Sequence, residues 1–510
     1  MYDVTDYKPL LHDTVELSAG NQQELIDLKF IMIKGTPPRD VMKIESLALG
    51  DYQHADIAND VVLKAMDVDL EPTASSFRVK TRTSGHWFGG FQNCAEFCPK
   101  DHNVFVDGIK RFEWNNWTEC AANPVMAQGG TWVYDRAGWC PGAFTDTYDH
   151  ELTPFVSPGN TVNLDYGMET TVGGMEGNYR TTMQLVTYGA NNFNLDARID
   201  DIISPNDWEF HQKENPICDD AQIVIQNVGS TTLTSLTITY NVLGGASETF
   251  TWTGSLAFME KEVVSLPITS QGFWTTAATQ NIFEVAVSAP NGGIDGYADN
   301  NEASATFEKP EVFSGLFSFW IKTNNAAHEN SYTIKDDQGN TVMSRSGMTN
   351  NTNYYDTLSL PDGCYVLEFL DTDDDGMNFF ANNDGSGTLR FWPTPVTWVK
   401  NFNTKFGKYF KFHFRIDNTV GVQDHEKAQN IDIYPNPSKD VFNVSLFGFD
   451  NGEATLEVYN ALGEKYISEV KEISNYSLKT TLNLQDAPNG IYFLRITSNG
   501  VNTVKRIIKN

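Results

Sequence analysis

Basic residues are scarce in this chain. Its 510 residues hold 36 Lys and Arg against 66 Asp and Glu, a net charge of −30. A surface of that sign repels a phosphate backbone or an anionic membrane at long range, so nucleic acid is excluded as a partner. No apolar run approaches the ~18 residues that span a bilayer, and no transmembrane helix is expected. The six cysteines, at 94, 98, 120, 140, 218 and 364, form no Cys-x-x-Cys pair. That spacing disfavours a zinc ribbon and leaves disulfides in an oxidising, exported setting. Met1-Tyr2-Asp3-Val4-Thr5-Asp6 has neither the basic nor the apolar region of an export leader, so the beginning of an exported chain is expected to lie upstream. Nine histidines show no His-x-His spacing and no His-Met pair, which lowers a copper reading.

What is present is β-structure. Apolar residues make up 40%, aromatics 12% and charges 20%, with 39 Gly dispersed throughout, a composition of folded, turn-rich domains. Alternation typical of half-buried strands recurs, as in Thr237-Ile238-Thr239-Tyr240-Asn241-Val242, between short Gly/Asn/Asp/Pro turns. Length predicts three to four domains at about 150 residues each. Pro and polar clusters at Gly35-Thr36-Pro37-Pro38, Lys213-Glu214-Asn215-Pro216, Glu308-Lys309-Pro310 and 416–430 place the breaks. The predicted organisation is a stub at 1–40, β-domains at 41–213, 216–308 and 312–415, a linker at 416–430 and a terminal module at 431–510.

The segment 91–142 carries candidate chemistry. It contains Asn93-Cys94-Ala95-Glu96-Phe97-Cys98, Glu119-Cys120-Ala121-Ala122-Asn123-Pro124 and Trp132-Val133-Tyr134-Asp135-Arg136-Ala137-Gly138-Trp139-Cys140-Pro141-Gly142. A Glu96 carboxylate beside Trp132, Arg136 and Trp139 would stabilise developing charge or orient water, while the indoles stack on sugar rings. The bland alternative is a stapled aromatic loop cluster. These motifs resemble the peptide-N-glycosidase F family, and Asp3 to Lys8 with Ile33 to Pro38 look like the closing strands of that family's first domain. The resemblance, over about residues 1–212, implies jelly-roll β-sandwiches of the peptidylglycine monooxygenase and peptide-N-glycosidase type, the first cut short here. It implies disulfides Cys94–Cys98 and Cys120–Cys140, Glu96 in an assisting catalytic role, and Arg136, Trp139, Trp132 and Asp135 in the substrate cleft. The family's main catalytic aspartate lies in an early Trp-Asp-Arg segment without counterpart in Met1 to Gly35, and Ser18 to Gln23 lacks the expected Glu and Trp.

Residues 216–308 are similar to adhesion-type Ig-like modules and are read as a spacer. In 312–415, Asp371-Thr372-Asp373-Asp374-Asp375-Gly376 sets carboxylates at alternate positions before a glycine, as calcium requires. Asn382 stands where an EF-hand has its bidentate Glu, so Asp371, Asp373 and Asp375 are expected to form a weak structural calcium site or a solvated acidic turn. Cys218 and Cys364 are left as either a bridge between modules or two free thiols. The last 80 residues carry Ile433-Tyr434-Pro435-Asn436-Pro437, Val458-Tyr459-Asn460-Ala461-Leu462-Gly463 and Asn489-Gly490-Ile491-Tyr492-Phe493-Leu494, with nine acids against eight bases. This module resembles the type IX secretion sorting domain of Bacteroidetes.

Three functions follow as expectations. The first is a secreted peptide-N-glycosidase-like protein that hydrolyses the amide between asparagine and an N-linked glycan, incompletely equipped within this chain. It needs no cofactor beyond an optional structural calcium, and its partners are N-glycoproteins or glycopeptides and the type IX machinery. The second is a non-catalytic glycan-binding or adhesion protein. The third is a copper monooxygenase of the same fold superfamily.

Overall fold

The computed structural model describes residues 3–16, 30, 32, 35–88, 94–125, 128–170, 177–270, 272–275, 281–314, 316–393, 399–418, 430–447, 449, 452–460, 462–474, 477–498 and 501–510. The expected features at Ser18 to Gln23, Ile33-Lys34, Asn93, Ala461 and most of the 416–430 linker lie outside the described residues.

The first β-domain is a sandwich of two four-stranded sheets. One has the order β1 (Arg39–Gln53), β10 (Asn178–Asn191), β3 (Ser76–His86), β8 (Tyr148–Glu151); the other has β2 (Met66–Asp69), β9 (Thr161–Met168), β4 (Asp101–Val106), β5 (Ile109–Asn115). A two-stranded ribbon of β6 (Trp117–Thr118) and β7 (Arg136–Ala137) stands at one end. Side chains of β3, β4, β9 and β10 point inward, so Phe77, Val79, Val104, Leu164, Met183 and Leu185 fill one core. Eight strands in two facing sheets give the jelly-roll sandwich expected for this class.

Two expectations are corrected here. Asp3 to Lys8 was expected as a closing strand, but Thr5–Leu10 is a 3-10 helix containing Pro9, which has no N–H to offer a ladder. It lies on the outer face of β10, with Tyr7 Oη donating to Gln184 Oε1 at 2.6 Å and Tyr188 Oη to Asp6 Oδ1 at 2.8 Å. The break expected at 213–216 falls too late. β11 (Ala197–Ser204) pairs with β12 (Ala221–Asn227) and buries Ala197, Ile199 and Ile202 in the second core, so this strand belongs to the next module.

That second module has a three-stranded sheet of β11, β12 and Lys261–Leu266 facing a four-stranded one built on Leu233–Val242. The third packs a five-stranded sheet, with Gly363–Asp371 at its centre, on a four-stranded one around a phenylalanine-rich core. The terminal module is a smaller sandwich around Phe442, Val444, Leu456, Val458, Leu494 and Ile496. Cys218 and Cys364, whose pairing the sequence left open, are joined across the second and third modules.

Candidate functional site

β3 ends at His86, and the chain leaves it through Trp87, whose φ of +93° is a conformation bulky side chains seldom adopt. The turn is tied to the short loop closed by the Cys94–Cys98 disulfide: Glu96 N–H donates to the Trp87 carbonyl at 3.2 Å. Gly85 permits this approach, because a Cβ there would stand 2.0 Å from the carbonyl oxygen of Ala95. On the other side Ala137 N–H donates to the Glu96 carbonyl at 2.9 Å, which fixes β7 to the same loop. The Cys120–Cys140 disulfide closes the segment that contains β7. Glu96 and Arg136 are thus set by a strand end, a ribbon and two staples.

Arg136 is 4% exposed, and its donors are nearly all committed. Nε donates to Glu96 Oε1 at 3.2 Å, Nη1 to the Tyr134 carbonyl at 2.6 Å and Nη2 to the Thr131 carbonyl at 3.0 Å. The guanidinium lies 5.1 Å from the Phe97 ring centre and 5.0 Å from that of Trp139, both within cation–π range. Burial lowers the Arg136 pKa and the Glu96 carboxylate opposes that shift. A buried cation with this many acceptors is a fixed positive charge beneath the rim. Trp139 is half-buried; its indole Nε1 donates to the Gly85 carbonyl at 3.1 Å and its ring stacks on His86 at 5.8 Å.

The other two cleft candidates sit differently. Asp135 Oδ1 accepts the Cys120 N–H at 3.0 Å, so this carboxylate braces the larger disulfide loop; burial raises its pKa. Trp132 was expected to stack on sugar, and that expectation is corrected. It is 3% exposed, in a small cluster with Ala121, Val133 and Phe379 of the third module, so no ring face is open. On this rim, among the described residues, Trp87, Phe88 and Tyr134 stand open. Sequence reading missed them because the exposure of Trp87 and Phe88 depends on the turn after β3 and that of Tyr134 on the loop before β7. Phe97 links the last two, edge-on to Phe88 at 5.5 Å and to Tyr134 at 6.4 Å.

His54, His102 and His150 are buried in the jelly roll and His86 is half-buried at the rim, and among the described residues no three of them are spaced to hold a metal. His102 stacks on Trp114 at 5.6 Å with Nδ1 2.8 Å from Tyr166 Oη, His54 Nε2 meets the Glu169 carbonyl at 3.1 Å, and His150 Nε2 meets Thr81 Oγ1 at 3.1 Å. Among the described residues one group of three carboxylate, histidine or cysteine side chains is spaced for a metal: Glu329, Asp371 and Asp375, in the third module. Asp373, expected as the middle ligand, is exposed and lies outside it.

Residues 53–186 match the family described as Peptide-N-glycosidase F, C terminal, and residues 432–510 match the Secretion system C-terminal sorting domain. The Peptide-N(4)-(N-acetyl-beta-D-glucosaminyl)asparagine amidase F of Elizabethkingia miricola is 28% identical over 187 residues, 33% of this chain and 52% of the relative. Among solved structures, PNGase F, a glycosylasparaginase from Flavobacterium meningosepticum, is 23% identical, covering 31% of this chain and 55% of that one, with a TM-score of 0.28. PNGF-II is 18% identical, covering 28% and 27%, with a TM-score of 0.23. Residues 53–186 therefore carry the likeness to the amidase family, residues 432–510 mark the protein for type IX secretion to the cell surface or beyond, and the chain spans about half the length of the curated relative it matches.

Proposed function

We propose that the rim formed by the 94–98 loop and β7 is the glycan-handling site of a secreted amidase-like protein that acts on the bond between asparagine and an N-linked glycan. The observation that carries this reading is the Glu96–Arg136 pair, fixed at 3.2 Å on two stapled loops beneath exposed aromatics. Hydrolysis of such an amide requires water activated at the carbonyl carbon, stabilisation of the oxyanion and a proton for the departing nitrogen. The buried guanidinium supplies positive potential under the carbonyl. Glu96 keeps one carboxylate oxygen on Arg136 and offers the other to a sugar hydroxyl, an acetamido N–H or the attacking water. Trp87, Phe88 and Tyr134 give apolar faces for sugar rings.

A second reading, glycan binding without turnover, is favoured by a specific feature: Glu96 Oε1 is committed to Arg136 and Asp135 Oδ1 to Cys120 N–H, so both carboxylates are already engaged. The test separates the two. A chitobiose-bearing asparagine glycopeptide is titrated into the 510-residue chain and its Glu96→Gln variant while free glycan is measured. Binding that weakens in Glu96→Gln, with release at background, establishes the binding reading; release lost in Glu96→Gln establishes the amidase. Unchanged binding and release in the variant would remove Glu96 from the site.

A further inference from the structure

The third module places three carboxylates from two distant stretches of sequence at one point. Asn330–Asp336 pairs antiparallel with Gly363–Asp371 in a register that sets Asn330 opposite Asp371. That register carries Glu329, one residue earlier, to the mouth of the acidic turn, where Thr372 N–H donates to the Glu329 carbonyl at 3.1 Å. The turn then folds back on itself: Asp371 Oδ1 accepts the N–H groups of Asp373 and Asp375 at 3.1 and 3.2 Å. Gly376, at φ +73°, makes this reversal, since a Cβ there would meet the Thr404 carbonyl oxygen at 2.8 Å. One carboxylate oxygen from each of Glu329, Asp371 and Asp375 thereby falls within 4.8 Å of the others.

Glu329 is 3% and Asp371 2% exposed. Glu329 Oε1 and Asp375 Oδ1 are buried with no hydrogen-bond partner among the described residues. Asn330, 1% exposed, reaches the same place. Its Nδ2 donates to Asp371 Oδ2 at 2.5 Å, while its Oδ1 is buried without a donor. Two buried carboxylates and a half-buried third, with no cationic side chain paired to them among the described residues, cost several kcal/mol per buried charge unless a counter-ion is supplied. Hard oxygens from carboxylates and an amide carbonyl, on a turn built around a glycine, are the donor set of calcium.

We propose that Glu329, Asp371 and Asp375, with the Asn330 amide oxygen, form a calcium site, and that the bound ion braces the 371–382 turn against the loop that carries Arg136. Glu329 supplies the carboxylate that Asn382 does not. Asn382 instead donates from Nδ2 to Asp375 Oδ2 at 2.6 Å and orients that ligand. The turn carries Phe379, which packs in the cluster with Trp132 and edge-on to Tyr134 at 5.5 Å. An ion that fixes the turn therefore fixes Phe379, and through it the Thr131–Arg136 segment.

The test uses the full chain, stripped with chelator, in equilibrium dialysis against radioactive calcium from about 10⁻⁶ to about 10⁻² M, with hydrogen exchange of residues 119–140 followed in parallel. Saturable binding is expected with Kd on the order of 10⁻⁴ to 10⁻³ M, the range of extracellular modules. Glu329→Gln and Asp371→Asn should each weaken it at least about tenfold, and Asp373→Asn should leave it unchanged. Both amide variants relieve like-charge repulsion, so their calcium-free forms should melt at or above the wild-type temperature, which separates lost ligation from failure to fold. Calcium should slow exchange in 119–140 of wild type and not in Glu329→Gln. No binding at the highest concentration, or binding indifferent to Glu329 and Asp371, overturns the site. Binding that leaves exchange in 119–140 unchanged overturns the bracing role.

Discussion

The Trp132 indole lies over Gly407, close enough that a Cβ at 407 would come within 2.9 Å of the ring and 2.5 Å of the Ala121 carbonyl oxygen. Gly407 has φ +69° and its neighbour Lys408 donates its N–H to Ala121 at 3.1 Å, so the third module grips the 119–140 loop through backbone. Lys213 Nζ, donating to the same Ala121 carbonyl at 3.2 Å, and the Lys408–Glu119 and Lys411–Glu214 pairs surround this contact.

Gly407→Ala is therefore expected to weaken docking. The left-handed conformation alone costs a β-carbon about 1–2 kcal/mol, and the clash with a fixed carbonyl adds to it. Limited proteolysis should cut the 119–140 loop faster in the variant, while the other modules keep their resistance. Equal cutting rates would show that the contact does not hold the loop.

The Cys218–Cys364 bridge closes a span of 146 residues across two modules. In the loop-entropy account a closure of this length contributes about 5 kcal/mol. Cys218→Ala with Cys364→Ala should lower the urea midpoint of the transition shared by the second and third modules, and leave that of the sorting domain in place. An unchanged midpoint would mean that the Lys411–Glu214 contact and packing already fix the two modules.

Burial drives His102 down to about 3, with the nearby His54 adding repulsion, while Asn116 and Asp101 oppose the shift. A base whose folded pKa is depressed leaves the unfolded chain holding the extra proton. Its contribution is intact above about 6.5 and is lost as pH falls from there toward 3, roughly 3–5 kcal/mol across the window. Amide exchange of β4, corrected for intrinsic rates, should report an opening free energy that falls over this range in wild type and more shallowly in His102→Gln. Parallel slopes in the two proteins would assign the acid sensitivity elsewhere.

The alternation of strands such as Thr237–Val242 made the β class legible, and the spacing around Cys94, Glu96 and Arg136 marked the loops that the structure does bring together. Three features were not legible, for the same physical reason. Trp132 is buried by Gly407 and Phe379, about 240 to 280 residues away in sequence, and no local pattern predicts which module will dock. Glu329 joins Asp371 only through strand register. The alternation in β11 fits either neighbouring sandwich equally, so the boundary at 213 was placed by the more visible Pro216.

Arg136 offers the sharpest test of the candidate site, because its role depends on geometry more than on charge. Nε serves Glu96, Nη1 the Tyr134 carbonyl, and Nη2 the Thr131 carbonyl and, at 3.3 Å, Thr131 Oγ1. A lysine keeps the positive charge yet has a single nitrogen, which cannot reach acceptors spread around a planar fork. Arg136→Lys thus leaves at least one buried carbonyl without a donor, at about 1–3 kcal/mol, and loosens the Tyr134 and Phe97 faces that line the rim. The jelly roll should melt earlier, and affinity for a chitobiose-asparagine glycopeptide should fall at least about tenfold, the equivalent of 1.4 kcal/mol. Arg136→Lys and Glu96→Gln should also be non-additive, since each removes the same ion pair; the double variant should bind little worse than the poorer single one. Additive losses would show that the two residues contact the ligand independently, and unchanged affinity in Arg136→Lys would reduce the guanidinium to a generic cation.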